Sequence, residues 1–295
     1  MAGVRPEAND LSLVEKLAIG PNIIRVLLAA FTRAVTGPLL GGPRASTYFK
    51  DVVYAAVRKH LALCTIRQEA WLSGTTEAQY LDWAKKQKFQ PDTDVLGSHT
   101  KIHWLGPKAA EKVVIYFHGG GYVLPCTAGH FQWLFDLQND LAKDHSISVV
   151  VVSYTLAPGG QYPLQVKQAA EALSHVLDQG KKPEDVCPYP FERILLDDDA
   201  HHFQIFIAGD SAGGNLTLSL LCHLLHPHPK IPESLHIKLS SPLAGALLIS
   251  PWAKFKATED ASFKRNLHSD MLPREISDRW GDAYLGEYSS TLLAT

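Results

Sequence analysis

The chain has 295 residues, with 28 Lys and Arg against 30 Asp and Glu, a formal charge of −2. That balance excludes a dedicated nucleic-acid binder, which carries a clearly basic domain. Hydrophobic residues make up 46% and charged residues 20%, which excludes disorder and leaves ample chain for one α/β fold or two smaller domains.

The charge is uneven. Residues 1–60 hold eight Lys and Arg and four Asp and Glu, a net +4, so the rest carries −6. A basic front suits an acidic partner or a membrane surface, and a solvated helical face is the simpler explanation. Arg5, Glu7, Asp10, Glu15 and Lys16 leave no room for the apolar core of a secretory signal. An intracellular protein is expected, cytoplasmic or peripheral to a membrane. Cys64, Cys126, Cys187 and Cys222 form no C-x-x-C pair and no disulfide framework.

Residues 1–90 read as a helical N-terminal cap. Pro21 suits a first helical turn. Ile23, Ile24, Leu27, Leu28, Phe31 and Val35 then share a broad face opposite Arg25, Ala29, Thr32 and Thr36. The spacing predicts a helix over residues 22–36, ended by Gly37-Pro38. Further helices are expected over 46–63 and 76–86. Such a layer caps a pocket, packs, or makes weak membrane-surface contact through residues 20–40.

Residues 91–295 read as an α/β core. Apolar runs at 101–105, 113–117, 147–152, 205–208 and 246–249 suit strands. Continuous apolar runs fit strands covered on both faces. Helical stretches at 129–143, 165–179 and 212–225 separate them, the alternation of a parallel sheet with crossover helices. The 24 residues from Gly180 to Phe203 form a long connection. They include Asp197, Asp198, Asp199, His201 and His202, metal-ligand types without metal-ligand spacing, so no metal is expected there.

Two motifs carry chemistry. Gly209-Asp210-Ser211-Ala212-Gly213 matches G-x-S-x-G between a predicted strand and a predicted helix. That context predicts a tight turn that lifts the Ser211 hydroxyl out of the sheet, with small residues at its flanks. It frees the Ala212 N–H to bind an oxyanion. His118-Gly119-Gly120-Gly121 follows the strand at 113–117. Consecutive glycines let backbone N–H groups turn toward a carbonyl oxygen that gains charge.

With both motifs in this order, the chain resembles the hormone-sensitive-lipase-like family of α/β-hydrolases. Tyr154-Thr155-Leu156-Ala157-Pro158, Tyr162-Pro163 and Ser250-Pro251-Trp252 extend the likeness. Its texture is similar to a fungal branch of esterases and steryl acetyl hydrolases. The resemblance implies an α/β-hydrolase fold with a mostly parallel sheet. It implies a serine esterase acting on a small apolar ester of lipid or secondary metabolism, without a cofactor. Ser211 would be the nucleophile, and Gly119, Gly120, Gly121 and Ala212 the oxyanion hole. His118 would orient the glycine loop. Thr155 and Gly159 stand where the family has charged residues.

Acid and histidine follow the serine in this fold. Only 84 residues follow Ser211, and no later strand is apparent for either group. Asp260, Asp270, Asp278, Asp282, His223, His226, His228, His236 and His268 are the later candidates, with His268 and Asp270 the least poor. The core is therefore expected to lack its last strands. The strand at 246–249 would become an open edge prone to self-association. An impaired hydrolase that serves as a binding protein is the alternative function.

Overall fold

The computed structural model describes residues 11–40, 45–180, 203–255, 260–267 and 269–286. Strands β1 (Asp92–Val95), β2 (Lys101–Trp104), β3 (Lys112–Phe117), β4 (Ile147–Ser153), β5 (Gln204–Asp210) and β6 (Gly245–Ile249) form one sheet. Its order is β1-β2-β4-β3-β5-β6. The strands from β3 onward run parallel, while β2 is antiparallel to both β1 and β4.

The crossovers are α5 (Ala128–Leu141), α6 (Leu164–Gln179) and α7 (Ala212–Leu225). Side chains alternate across a strand. Val150 and Val152 of β4 therefore join the core beneath α6 and α7, with Val166, Leu173, Leu216 and Leu220. Val149 and Val151 face the opposite way, toward Tyr80, Trp83, Phe131 and Leu134. This double burial explains why β4 has no polar alternation. Each buried valine contributes about 1.5–3 kcal/mol. The expected α/β-hydrolase sheet is present. The metal-ligand types at 197–202 lie outside the described residues.

The front of the chain is helical, with different bounds from those expected. Helix α1 runs Leu13–Leu40 and passes through both Pro21 and Pro38. Packing overrides the breakers. The α1 backbone lies along α2 (Tyr48–Leu63), where Arg33 pairs with Asp51 at 2.6 Å and Asn22 Nδ2 donates to the Leu63 carbonyl. Gly37 is buried here, its Cα facing the Asp51 carboxylate. Helix α3 (Ile66–Ser73) was not predicted, although its capping box of Thr65 and Gln68 is a local start signal. Helix α4 (Thr76–Gln87) falls where expected. Strand β1 was also missed, since Asp92-Thr93-Asp94-Val95 is short and polar. After β6 come α8 (Ala261–Asn266) and α9 (Arg274–Leu285). Strand β6 ends the sheet order, and Leu247 on it is 56% exposed.

Candidate active site

The turn from β5 to α7 is tight. Ser211 sits at φ 51° and ψ −114°, a left-handed backbone that a side chain rarely adopts. Three backbone bonds hold it there. Its N–H donates to Ile249 O at 2.9 Å, and its carbonyl accepts from Trp252 N at 2.8 Å and Asn215 N at 3.0 Å. Close approach forces the flanking glycines. A Cβ on Gly213 would lie 1.8 Å from the Phe117 carbonyl oxygen, and one on Gly209 would lie 2.4 Å from the Gly213 backbone. The motif residues thus serve the backbone path that presents Ser211.

The glycine loop leaves β3 beside this turn, and Asp210 joins the two. Asp210 Oδ1 accepts from Gly119 N and from the Tyr116 hydroxyl, each at 2.7 Å. His130 Nε2 stands 3.5 Å from Oδ2. Burial alone would raise the Asp210 carboxyl. The bonds from His130, Tyr116 and Gly119 outweigh it and hold the group below the usual aspartate range. Gly119, expected among the oxyanion donors, thus has its N–H engaged by Asp210. The N–H groups of Gly120, Gly121 and Ala212 donate to no acceptor among the described residues.

His118 is fully buried and faces the loop. Its Nδ1 lies 2.8 Å from Gly119 O, and a carbonyl only accepts, so Nδ1 carries the proton. Nε2 is then left to accept from the Thr76 hydroxyl at 3.4 Å. Burial pushes the imidazole down to about 4, so it stays neutral. Tyr154 stacks on the ring at 4.4 Å and donates its hydroxyl to His118 O at 2.6 Å.

Helix α9 closes over this loop. Gly121 has φ 62°, and a Cβ there would lie 2.1 Å from the Trp280 ring. Trp280 Nε1 donates to Glu69 Oε2 at 3.0 Å, and Arg279 donates to the other oxygen of the same carboxylate. Burial raises Glu69 to about 7, against the pull of Arg279 and Trp280. Behind the loop, Tyr284 stacks on Tyr122 at 3.8 Å, and the Tyr122 hydroxyl donates to Asn215 Oδ1 at 2.7 Å. Nothing in the local sequence marks His130, Glu69, Tyr122 or Trp280. Their roles come from contacts across the chain.

The neutral Thr155 is held by amides. Gln168 accepts its N–H and donates to its hydroxyl, both at 2.8 Å, and Gln165 donates to its carbonyl at 2.8 Å.

No described histidine or carboxylate is hydrogen-bonded to the Ser211 hydroxyl. His223 and His236 turn onto the carbonyls of Leu235 and Ile231, and His228 accepts from Lys230 N. His226 ends α7, a helix about 20 Å long that starts at the serine turn. Asp260 pairs with Lys254 at 2.7 Å, and Asp270 accepts from Leu272 N. Asp278 and Asp282 lie on α9, and His268 lies outside the described residues. Among the described residues no cluster could hold a metal ion.

A family model described as alpha/beta hydrolase fold matches residues 114–293. The chain belongs to the alpha/beta hydrolase family. The hormone-sensitive-lipase-like character read from its motifs agrees with its relatives, which are ester and acetyl hydrolases. It is 26% identical over 210 residues to neutral cholesterol ester hydrolase 1 of Pongo abelii, across 70% of this chain and 46% of that protein. It is 27% identical over 187 residues to an acetyl-hydrolase of Streptomyces hygroscopicus, across 63% of this chain and 49% of the relative. The chain thus spans about half the length of these curated relatives. A crystal structure of an esterase from the bacterial hormone-sensitive lipase family superposes with a TM-score of 0.48 at 22% identity, covering 91% of this chain and 70% of that one.

Proposed function

We propose that this alpha/beta hydrolase is a serine carboxylic-ester hydrolase with Ser211 as nucleophile. The observation that carries the reading is the strained Ser211 turn, set beside three backbone N–H groups that have no acceptor among the described residues. The Ser211 oxygen attacks the ester carbonyl carbon, and its proton passes through water to the departing alcohol oxygen, since no described side chain is hydrogen-bonded to the hydroxyl. The carbonyl oxygen becomes an oxyanion, received by the N–H groups of Gly120, Gly121 and Ala212. Collapse expels the alcohol and leaves an acyl-serine, which water then hydrolyses. One such donor contributes about 10²–10³ in rate. Gly119 and His118 hold the loop without donating to the oxyanion. Acyl transfer of this kind needs no metal or organic cofactor.

The substrate class is a small apolar ester of lipid or secondary metabolism. The ester and acetyl hydrolases among the relatives support it. The helical layer of residues 1–90, joined by α9, acts as the cap over this site, and residues 91–295 supply the core.

A second reading rests on the Ser211 hydroxyl, which has no base among its described neighbours. A serine without a base acylates slowly, while the oxyanion donors and binding retain some catalysis over water. The chain would then bind apolar ligands and turn esters over poorly. Labelling by a fluorophosphonate, together with hydrolysis of a short-chain aryl ester, separates the readings. Ser211→Ala is expected to abolish both with an unchanged circular dichroism spectrum. Labelling retained in that variant would overturn the nucleophile. Labelling with negligible turnover would favour the binding protein.

A further inference from the structure

Helix α1 is inside out for a helix of a globular protein. Leu17, Ile24, Leu28, Phe31, Val35 and Leu39 follow helical spacing, yet each is 50–77% exposed. The face turned to the protein carries only Ile19 and Val26 as large apolar residues and is otherwise small or polar. Ala18, Asn22, Ala29, Arg33 and Gly37 are all at least half-buried. The inner contacts fix this orientation: Asn22 to Leu63 O, Arg33 to Asp51, and Gln68 Nε2 to Glu15 O at 3.0 Å. Turning the stripe inward would break a salt bridge that leaves Asp51 only 1% exposed. From Leu17 to Leu39 the stripe runs about 33 Å along one helix, far beyond the scattered apolar residues of an ordinary surface. Phe49 of α2 is also exposed.

The charge around this face selects its occupant. Residues 11–63 hold seven Lys and Arg and only two acids, Glu15 and Asp51, a net +5. Asp51 is engaged by Arg33, and Glu15 accepts from Ser12 N and lies 3.4 Å from Arg67. A second copy on the same face would set +5 against +5. An anionic surface would complement it. No helix among the described residues is long and apolar enough to cross a membrane. An apolar stripe flanked by basic residues on a helix that does not span has the pattern of one lying in the plane of a lipid interface.

We propose that the outward face of α1 docks on an anionic lipid bilayer, with the stripe among the acyl chains and Arg25 at the headgroups. The interaction joins apolar burial to electrostatic attraction, so it weakens with salt. It depends on α1 alone and stands whether or not Ser211 is a nucleophile.

Co-sedimentation of the purified chain with vesicles tests it. With phosphatidylcholine vesicles containing about 30% phosphatidylserine the chain is expected to pellet, less so at high salt or with phosphatidylcholine alone. Ile24→Glu with Phe31→Glu alters only exposed positions and is expected to lower partitioning by about tenfold or more, with the circular dichroism spectrum unchanged. Arg25→Glu with Lys50→Glu leaves the stripe intact and is expected to reduce binding to anionic vesicles only, which keeps the test valid if the first pair misfolds. Failure to pellet with anionic vesicles, or equal pelleting of either pair of variants, overturns the proposal. A dimer in sedimentation equilibrium that the Ile24/Phe31 pair abolishes, without vesicle binding, would assign the face to a second copy and also overturn it.

Discussion

At Asp210 one carboxylate ties together two loops 91 residues apart in the chain. Of its three donors, His130 is fixed by its other partner. Thr127 N donates to His130 Nδ1 at 3.2 Å, so His130 presents Nε2–H to Asp210. In Asp210→Asn the oxygen can still accept from Tyr116 and Gly119, but the new amide faces the His130 N–H donor to donor. A buried donor left unmatched costs about 1–3 kcal/mol. The variant is expected to unfold at lower urea at pH 7 and to label more slowly at Ser211. The sign with pH follows from the depressed carboxyl. Its stabilisation is present above the unfolded aspartate value, about 3.9, and disappears as pH falls through the folded one. The gap between wild type and variant should therefore narrow at acid pH. A gap that holds or widens there would refute the role. Legibility at this scale followed locality. The two glycine motifs were readable because close approach and positive φ leave a local mark. The Gly119–Asp210 bond, which occupies the Gly119 N–H, was not, since it depends on how the loops meet.

Elements were legible where burial wrote their pattern. Strands β3, β4 and β5 are apolar runs because both faces are covered, and α7 begins and ends where the sequence placed it. Helix α1 outran its prediction because α2 holds it across two prolines, and β1 carries too little apolar signal to be seen. The junction of α3 and α9 had no sequence signature at all. It rests on Glu69, whose carboxylate receives both the Trp280 indole and Arg279. Burial raises this carboxyl to about 7 from an ordinary 4.5. Between those values the unfolded chain has lost the proton while the folded chain keeps it, so stability falls as pH rises from about 4.5 to about 7 and then levels. Glu69→Gln cannot ionise and is expected to flatten that segment of the urea midpoint against pH. It should also lower the midpoint at every pH, because one amide cannot accept both donors. Glu69→Ala, which leaves both donors without a partner, should cost about 3 kcal/mol. An unchanged slope in Glu69→Gln would mean another group carries the pH dependence.

At the scale of the whole molecule, the two outer strands of the sheet among the described residues differ in character. At the far side β1 is short and polar, with Asp92 and Asp94 both paired to Lys108. Polar, charged edges resist pairing with another chain. At the other side, among the described residues, β6 joins only β5 in the sheet order and carries Gly245, Ala246, Leu247, Leu248 and Ile249, with no charge along its length. Leu247 is 56% exposed. An apolar, uncharged edge strand is a template for a second sheet, so we expect the chain to self-associate through β6. This contact is separate from the outward face of α1. Sedimentation velocity over a range of concentrations should show association that grows with concentration and persists in Ile24→Glu with Phe31→Glu. Leu247→Lys places a charge on an exposed position of that edge and should shift the chain toward monomer. Its cost in stability should be small, within about 0.5 kcal/mol, because the side chain is largely solvated already. A chain that stays monomeric at every concentration, or association untouched by Leu247→Lys, would show that β6 is not the contact.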